Sequence, residues 1–281
     1  MTSAVRRAVL SAFAMSTLFL LITAVPARAD IVCDLRTSST CAPINGGLFF
    51  TDEQQSTGTG VIFSFVRIQM NGWEQGYNTS TRPIQDGMHT NTDPNFTRDL
   101  LLTNVGTKVI DGTTYREFFL DVNETGAQPG SYLTLDQLEI FVSNTAGLNN
   151  YSPTDPASGN NAGGSLAGAT KIYDLDSAGS DNYIQLDVLV AGSGSGTADL
   201  VFYINSALFG NFQYVYLFSQ LGNFGNHPSK FASAAGFEEF FTKTGGDVTT
   251  PIPEPATMLL LGSGLALAAR RRFRERRATI A

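Results

Sequence analysis

The stretch YREFFLDV, Tyr115 to Val122, decides the fold. Phe118, Leu120 and Val122 fall on one side of an extended chain and Glu117 and Asp121 on the other, the period-two pattern of a strand with one buried face. Tyr183 to Ala191 repeats it, with Ile184, Leu186, Val188 and Val190 alternating with Gln185 and Asp187. Val61 to Met70, Leu138 to Ser143, Asp199 to Asn205 and Tyr214 to Gln220 are equally rich in β-branched and aromatic residues, which suit a pleated surface. Clusters of Gly, Asn, Ser and Pro at Asn71 to Pro94, Thr145 to Gly168 and Gly192 to Gly196 read as the loops between them. Half-buried strands of this kind pack as two antiparallel sheets. The expected fold is therefore all-β: one antiparallel β-sandwich, jelly-roll-like, over residues 30–243.

Both ends of the chain depart from this pattern. Arg6 and Arg7 precede an apolar and small-residue run from Val9 to Val25, and Ala27-Arg28-Ala29 gives a small-x-small site. Residues 1–29 read as a signal peptide removed by signal peptidase, with the mature chain starting at Asp30. At the other end, residues 244–252 form a Gly- and Pro-containing spacer. Pro253, Glu254 and Pro255 follow, then an apolar run from Ala256 to Ala269, then Arg270, Arg271, Arg272, Arg274, Arg276 and Arg277. Fourteen helical residues rise roughly 21 Å, short of the ~30 Å hydrocarbon core, so the run reads as a hydrophobic helix at the short end of what can span. Arginines beside such a helix stay on the cytoplasmic side and can snorkel toward headgroups. The topology expected is an exported body on a single membrane anchor.

The triplet, the short apolar run with Gly262 and Gly264, and the Arg cluster, in that order over 253–277, resemble the PEP-CTERM sorting signal. The resemblance implies exosortase, a membrane protease, as processing partner. It also implies transient anchoring in the inner membrane, cleavage near Pro253, delivery to the cell surface or extracellular matrix, and a bacterium that makes exopolysaccharide. The extra residues Ala278 to Ala281 are a minor departure. A looser similarity to ectodomains of the same group runs through Leu120 to Thr125, Leu133 to Phe141 (LTLDQLEIF), Tyr173 to Asp176 (YDLD), Gly192 to Leu200 and Gly236 to Phe240 (GFEEF). It implies one domain and carries no activity.

Charge narrows the partners. From Asp30 to Thr250 there are nine Lys and Arg against 23 Asp and Glu, a net of −14. Such a body does not bind nucleic acid, and it repels acidic polymers unless cations intervene. A neutral polysaccharide, or one bridged by divalent metal, fits better. Cys33 and Cys41 stand alone near the mature N-terminus, and in an oxidising compartment they are expected to form a disulfide.

Chemistry-bearing motifs are sparse. His89 and His227 are the two histidines, without the spacing of a zinc site, and Gly192 to Gly196 lacks the Lys of a phosphate loop. No catalytic residue is assigned. Carboxylates offer a candidate Ca2+ set: Asp121, Asn123 and Glu124 at a strand end, Asp174 and Asp176 in alternation, and Glu238 and Glu239 near the last strand. Alternate oxygens at strand ends suit that ion, although solvated rims account for the same pattern, and paired carboxylates also serve glycosidases.

Phe209, Phe212, Tyr214, Tyr216 and Phe218 occupy both parities of one strand region, so some must cover a second layer or face solvent. The reading is a non-enzymatic surface or biofilm-matrix protein associated with exopolysaccharide. Its alternatives are a secreted glycan-acting enzyme with paired carboxylates, a Ca2+-dependent carbohydrate-binding module, and a structural matrix filler. A sugar-binding module requires Trp73 or Tyr216 in solvent; an enzyme requires two carboxylates converging in a cleft.

Overall fold

The computed structural model describes residues 30–51, 63–124, 129–153, 163–176, 180–191, 198–223, 229–234 and 236–243. The expected signal peptide 1–29, the expected spacer 244–252, Pro253, Glu254, Pro255, the apolar run from Ala256 to Ala269, Arg270, Arg271, Arg272, Arg274 and His227 lie outside them. Everything described belongs to the compact unit Met1–Thr244. No helix of the described residues is long and apolar enough to cross a membrane.

The strands in chain order are β1 (Val32–Asp34), β2 (Leu48–Phe50), β3 (Phe63–Ile68), β4 (Asn71–Tyr77), β5 (Leu100–Leu101), β6 (Thr107–Ile110), β7 (Thr113–Asp121) and β8 (Tyr132–Ser143). The second half adds β9 (Tyr151–Ser152), β10 (Ser165–Leu166), β11 (Thr170–Asp174), β12 (Tyr183–Asp187), β13 (Leu200–Asn205), β14 (Tyr214–Gly222), β15 (Ser233–Ala234) and β16 (Glu238–Thr242). The larger sheet runs β1-β12-β8-β14-β4-β15, with β11 also on β8 and β5 on β14. The smaller runs β2-β13-β7-β16-β3, with β6 on β7. The chain passes between sheets repeatedly: β7 to β8, β12 to β13, β13 to β14. These are the crossings of a sandwich rather than of a meander. The expected all-β sandwich is what forms. Its pairings are antiparallel except β1 on β12, which is parallel.

The alternation read from the sequence decides what the sheets bury. Leu133, Leu135, Leu138, Ile140 and Val142 of β8, with Val215, Leu217 and Leu221 of β14, meet Phe118 and Leu120 of β7, Leu200, Phe202 and Ile204 of β13, and Phe240 of β16 in one core. Phe202 stacks on Phe118 at 5.3 Å and on Phe49 at 6.0 Å. The Cys33–Cys41 disulfide forms, and Cys33 lies buried in this core.

The outer faces are also covered, which the sequence did not show. Tyr77, Phe141, Tyr216 and Phe218 point away from the main core into a second cluster, beneath Tyr151 and Leu166 of the small β9–β10 hairpin. That resolves the double parity of the aromatics: Tyr214, Tyr216 and Phe218 belong to the second layer, Phe209 to the first. Phe119, Val201, Tyr203 and Phe241 make a third cluster outside the smaller sheet.

Three expectations change in detail. Tyr183 to Ala191 is a strand only to Asp187; Val188–Ala191 forms one helical turn. Asn71 to Tyr77, read as loop, is β4, because Gly72 and Gly76 hid its alternation. Gly76 is required there, since a Cβ would stand 2.2 Å from the Thr90 hydroxyl. Finally, β8 begins at Tyr132, six residues before Leu138, with a register shift opposite Gln220/Leu221 that interrupts its period.

Replacing Phe202 with Ala is expected to cost about 3–5 kcal/mol in urea unfolding. Val109, 66% exposed, should tolerate Ala within about 0.5 kcal/mol. A Phe202→Ala loss as small as that of Val109→Ala would contradict the packing described.

Candidate functional site

Strand parity carries a row of polar side chains across the outer face of the larger sheet. In β4, Trp73, Gln75 and Tyr77 alternate with buried Glu74 and Gly76. Register places Gly222 opposite Trp73, Gln220 opposite Gln75, Gln137 opposite Gln220, and Asp174 opposite Glu139. The Gln220 amide donates to Gln75 Oε1 at 2.9 Å, and Gln75 donates to the Gly87 carbonyl at 2.9 Å. Further along, Gln137 Nε2 donates to Asp174 Oδ1 at 3.0 Å. Gln137 Oε1 is buried and meets no donor among the described residues.

Trp73 stands at one end of the row, 37% exposed. Its cross-strand partner Gly222 has no side chain to cover the indole. The His89 ring sits edge-on at 5.1 Å. Burial pushes the His89 imidazole below its ordinary value, and its Nδ1 accepts the Gln75 backbone N–H at 3.2 Å, so this edge is neutral and hydrogen-bonded. Tyr216, the other aromatic expected in solvent by a sugar-binding reading, is fully buried.

The other end is charged. Lys171 Nζ bonds Glu139 Oε1 at 2.9 Å and Asp174 Oδ2 at 2.6 Å, and Tyr151 donates to Glu139 Oε2 at 2.7 Å. Burial raises the Glu139 carboxyl, with Lys171 opposing, and raises the Tyr151 hydroxyl far above its ordinary range. Gly163 closes over the cluster: a Cβ there would lie within 2.4 Å of Glu139, Asp174 and Lys171. Asp176 sits apart, accepting the Asn182 N–H at 2.6 Å, with its carboxyl pushed up to about 9 by burial.

The seven residues of the candidate Ca2+ set divide between two places. Asp121, Asn123, Glu124, Glu238 and Glu239 gather where the end of β7 meets the start of β16. Asn123 Nδ2 donates to the Phe237 carbonyl, Glu124 accepts the Ala234 N–H, and Glu239 pairs with Arg67 Nε at 2.5 Å. Asp121 lies beside Asp199, whose carboxyl burial pushes well up and whose Oδ2 accepts the Val122 N–H. Glu238 is buried with neither carboxyl oxygen hydrogen-bonded among the described residues, and loss of water pushes its carboxyl well up. Asp174 and Asp176 are in the Lys171 region instead. Among the described residues no three such ligands are placed to hold a metal ion. Four of these carboxylates are no solvated rim, since Asp121, Asp176, Glu238 and Glu239 are buried, whereas Glu124 and Asp174 are half-buried.

Sequence reading missed Gln75, Gln137, Gln220, Glu74, Glu139 and Lys171. The useful signal lay in LTLDQLEIF, where Gln137 and Glu139 alternate with Leu138 and Ile140, but only register shows what they face.

Residues 251–272 match the PEP-CTERM protein-sorting motif. The match includes Pro253, Glu254, Pro255, Arg270, Arg271 and Arg272, and ends before Arg274. No curated protein and no solved structure matches the chain.

Replacing Lys171 with Ala should cost about 2–3 kcal/mol near neutral pH, because it strands Glu139 beside Asp174 without a cation. A neutral carboxylic acid does not need the cation, so variant and wild type should converge below about pH 4. Chemical unfolding across that range checks both the size and the pH dependence.

Proposed function

We propose that this chain, an exported protein bearing the PEP-CTERM motif by which exosortase sorts its substrates, is a non-enzymatic surface or matrix protein that holds a neutral polysaccharide. The observation that carries the reading is Trp73, open to solvent at the head of the Gln75–Gln220 amide pair. An indole face stacks on the C–H face of a sugar ring, while amides donate to and accept from hydroxyls without a charge of their own. The acidity of the body, nine basic against 23 acidic residues from Asp30 to Thr250, favours a neutral polymer over an acidic one. No Ca2+ is invoked.

The order of events follows from the sorting motif. The motif implies export and membrane-anchored processing before surface release. Removal of residues 1–29 by signal peptidase, retention of the Arg cluster on the cytoplasmic side of the inner membrane, and cleavage near Pro253 complete the proposed route. Association with exopolysaccharide or biofilm is the proposed destination of the released body.

A glycan-cleaving enzyme would need two carboxyls open to substrate, one as acid and one as base or nucleophile. Glu74 and Glu238 are fully buried, and Glu139 and Asp174 share Lys171. Both arrangements favour binding over cleavage.

The single Trp makes binding readable by its own fluorescence. Titration with a panel of neutral polysaccharides, dextran and galactomannan among them, should shift Trp73 emission, and Trp73→Ala should weaken retention on the same polymer roughly tenfold without lowering the thermal midpoint. Failure of every neutral polymer to bind would remove the glycan reading. In the producing cell, Glu254→Ala should leave the tail uncut; normal processing of that variant would show that the triplet is not what exosortase reads.

A further inference from the structure

His89 is tied to its neighbours by three hydrogen bonds. Its backbone N–H donates to the Gln75 carbonyl at 2.8 Å, and its carbonyl accepts the Gln69 N–H at 3.0 Å. Its Nδ1 accepts the Gln75 N–H at 3.2 Å. An imidazole nitrogen that accepts carries no hydrogen, so in the neutral ring the hydrogen lies on Nε2. The β4 backbone thereby fixes the tautomer. Nε2–H meets no acceptor among the described residues, and His89 is only half-buried. The ring stands beside the Trp73 indole at 5.1 Å, tilted 63° to it. The two rings make a corner, one side a flat apolar surface and the other a single directed donor.

We propose, resting on the reading of Trp73 as a glycan platform, that His89 is the second recognition residue of that site, its Nε2–H donating to a hydroxyl of the sugar ring stacked on the indole. Stacking alone accepts any ring with a C–H face, whereas a donor held at a fixed angle selects one orientation. The ligand class narrows to neutral polymers of pyranose rings whose stacked unit places a hydroxyl oxygen at its edge. The site is also sensitive to acid. A proton added to the ring goes to Nδ1, where it faces the Gln75 N–H, donor against donor, so the cationic ring cannot keep this place. Burial agrees in direction, holding the imidazole below its ordinary value of 6.5, and no charged side chain shares in that shift. The charged residues of the adjoining segments are placed elsewhere: Glu74 lies on the other parity of β4, Arg67 of β3 pairs with Glu239, and Asp86 is exposed ahead of Gly87. A sugar held by the neutral ring is bound fully above 6.5 and released as pH falls through the lowered value.

Retention of the exported protein on immobilised dextran and galactomannan measures the effect. His89→Asn keeps an acceptor where Nδ1 stands and removes the outer donor; it should weaken retention roughly fivefold near neutral pH with an unchanged thermal midpoint. His89→Gln returns a neutral donor to the Nε2 position. It should bind within about twofold of wild type and stay flat from about pH 8 to about pH 5, the range in which wild type loses affinity. Long-range 15N spectra of the unliganded protein check the tautomer without any sugar, and a neutral ring with its hydrogen on Nδ1 would overturn the proposal. So would a polymer whose retention needs Trp73 yet is the same in His89→Asn and wild type, a result that leaves the glycan reading standing. Failure of both polymers to bind wild type would remove the glycan reading and the role of His89 with it.

Discussion

Burial of the inner faces of β8 and β14 against those of β7, β13 and β16 is the constraint on which everything else depends. It removes a continuous apolar layer from water, the dominant favourable term in folding. It also dictates where polar groups go. With Leu and Ile of β8 committed inward, Gln137 and Glu139 must face outward, and with Gly76 and Glu74 inward, Trp73 and Gln75 must face outward too. The amide row is thus the reverse side of the core, set by the same period of two.

Covering the outer face is what makes this sandwich unusual in its energetics. A sheet with one solvated face needs no second layer, yet here Tyr77, Phe141, Tyr216 and Phe218 are roofed by Tyr151 and Leu166. The roof must end somewhere, and it ends at Glu139, where Tyr151 and Lys171 satisfy the carboxylate. Beyond that edge the polar row continues toward Trp73 and solvent. At that end the exposed indole stands beside the His89 ring and opposite Gly222.

Buried carboxyls are the other consequence of covering both faces. Asp176, Asp199, Glu74 and Glu238 are all pushed upward by loss of water, and Asp176, pushed up to about 9, keeps its proton near neutral pH.

The sequence by itself determined the strand chemistry, the sheet class, the disulfide and the sorting tail, because each rests on local order: alternation in YREFFLDV, two cysteines with no other partners, and Pro-Glu-Pro before an apolar run and arginines. It did not determine β4, whose glycines interrupt the alternation, or the bend into Val188–Ala191, where the chain leaves the sheet despite an unbroken apolar pattern. Tertiary structure alone decided which carboxylates meet. Asp121 and Glu239 are far apart in the chain and opposite each other in the sheet, whereas Asp174 and Asp176, which look alike in sequence, have unlike partners. It also decided that Trp73 is open and Tyr216 closed. Exposure and pairing are properties of register and layering, which depend on contacts between distant strands and leave no mark within any one of them.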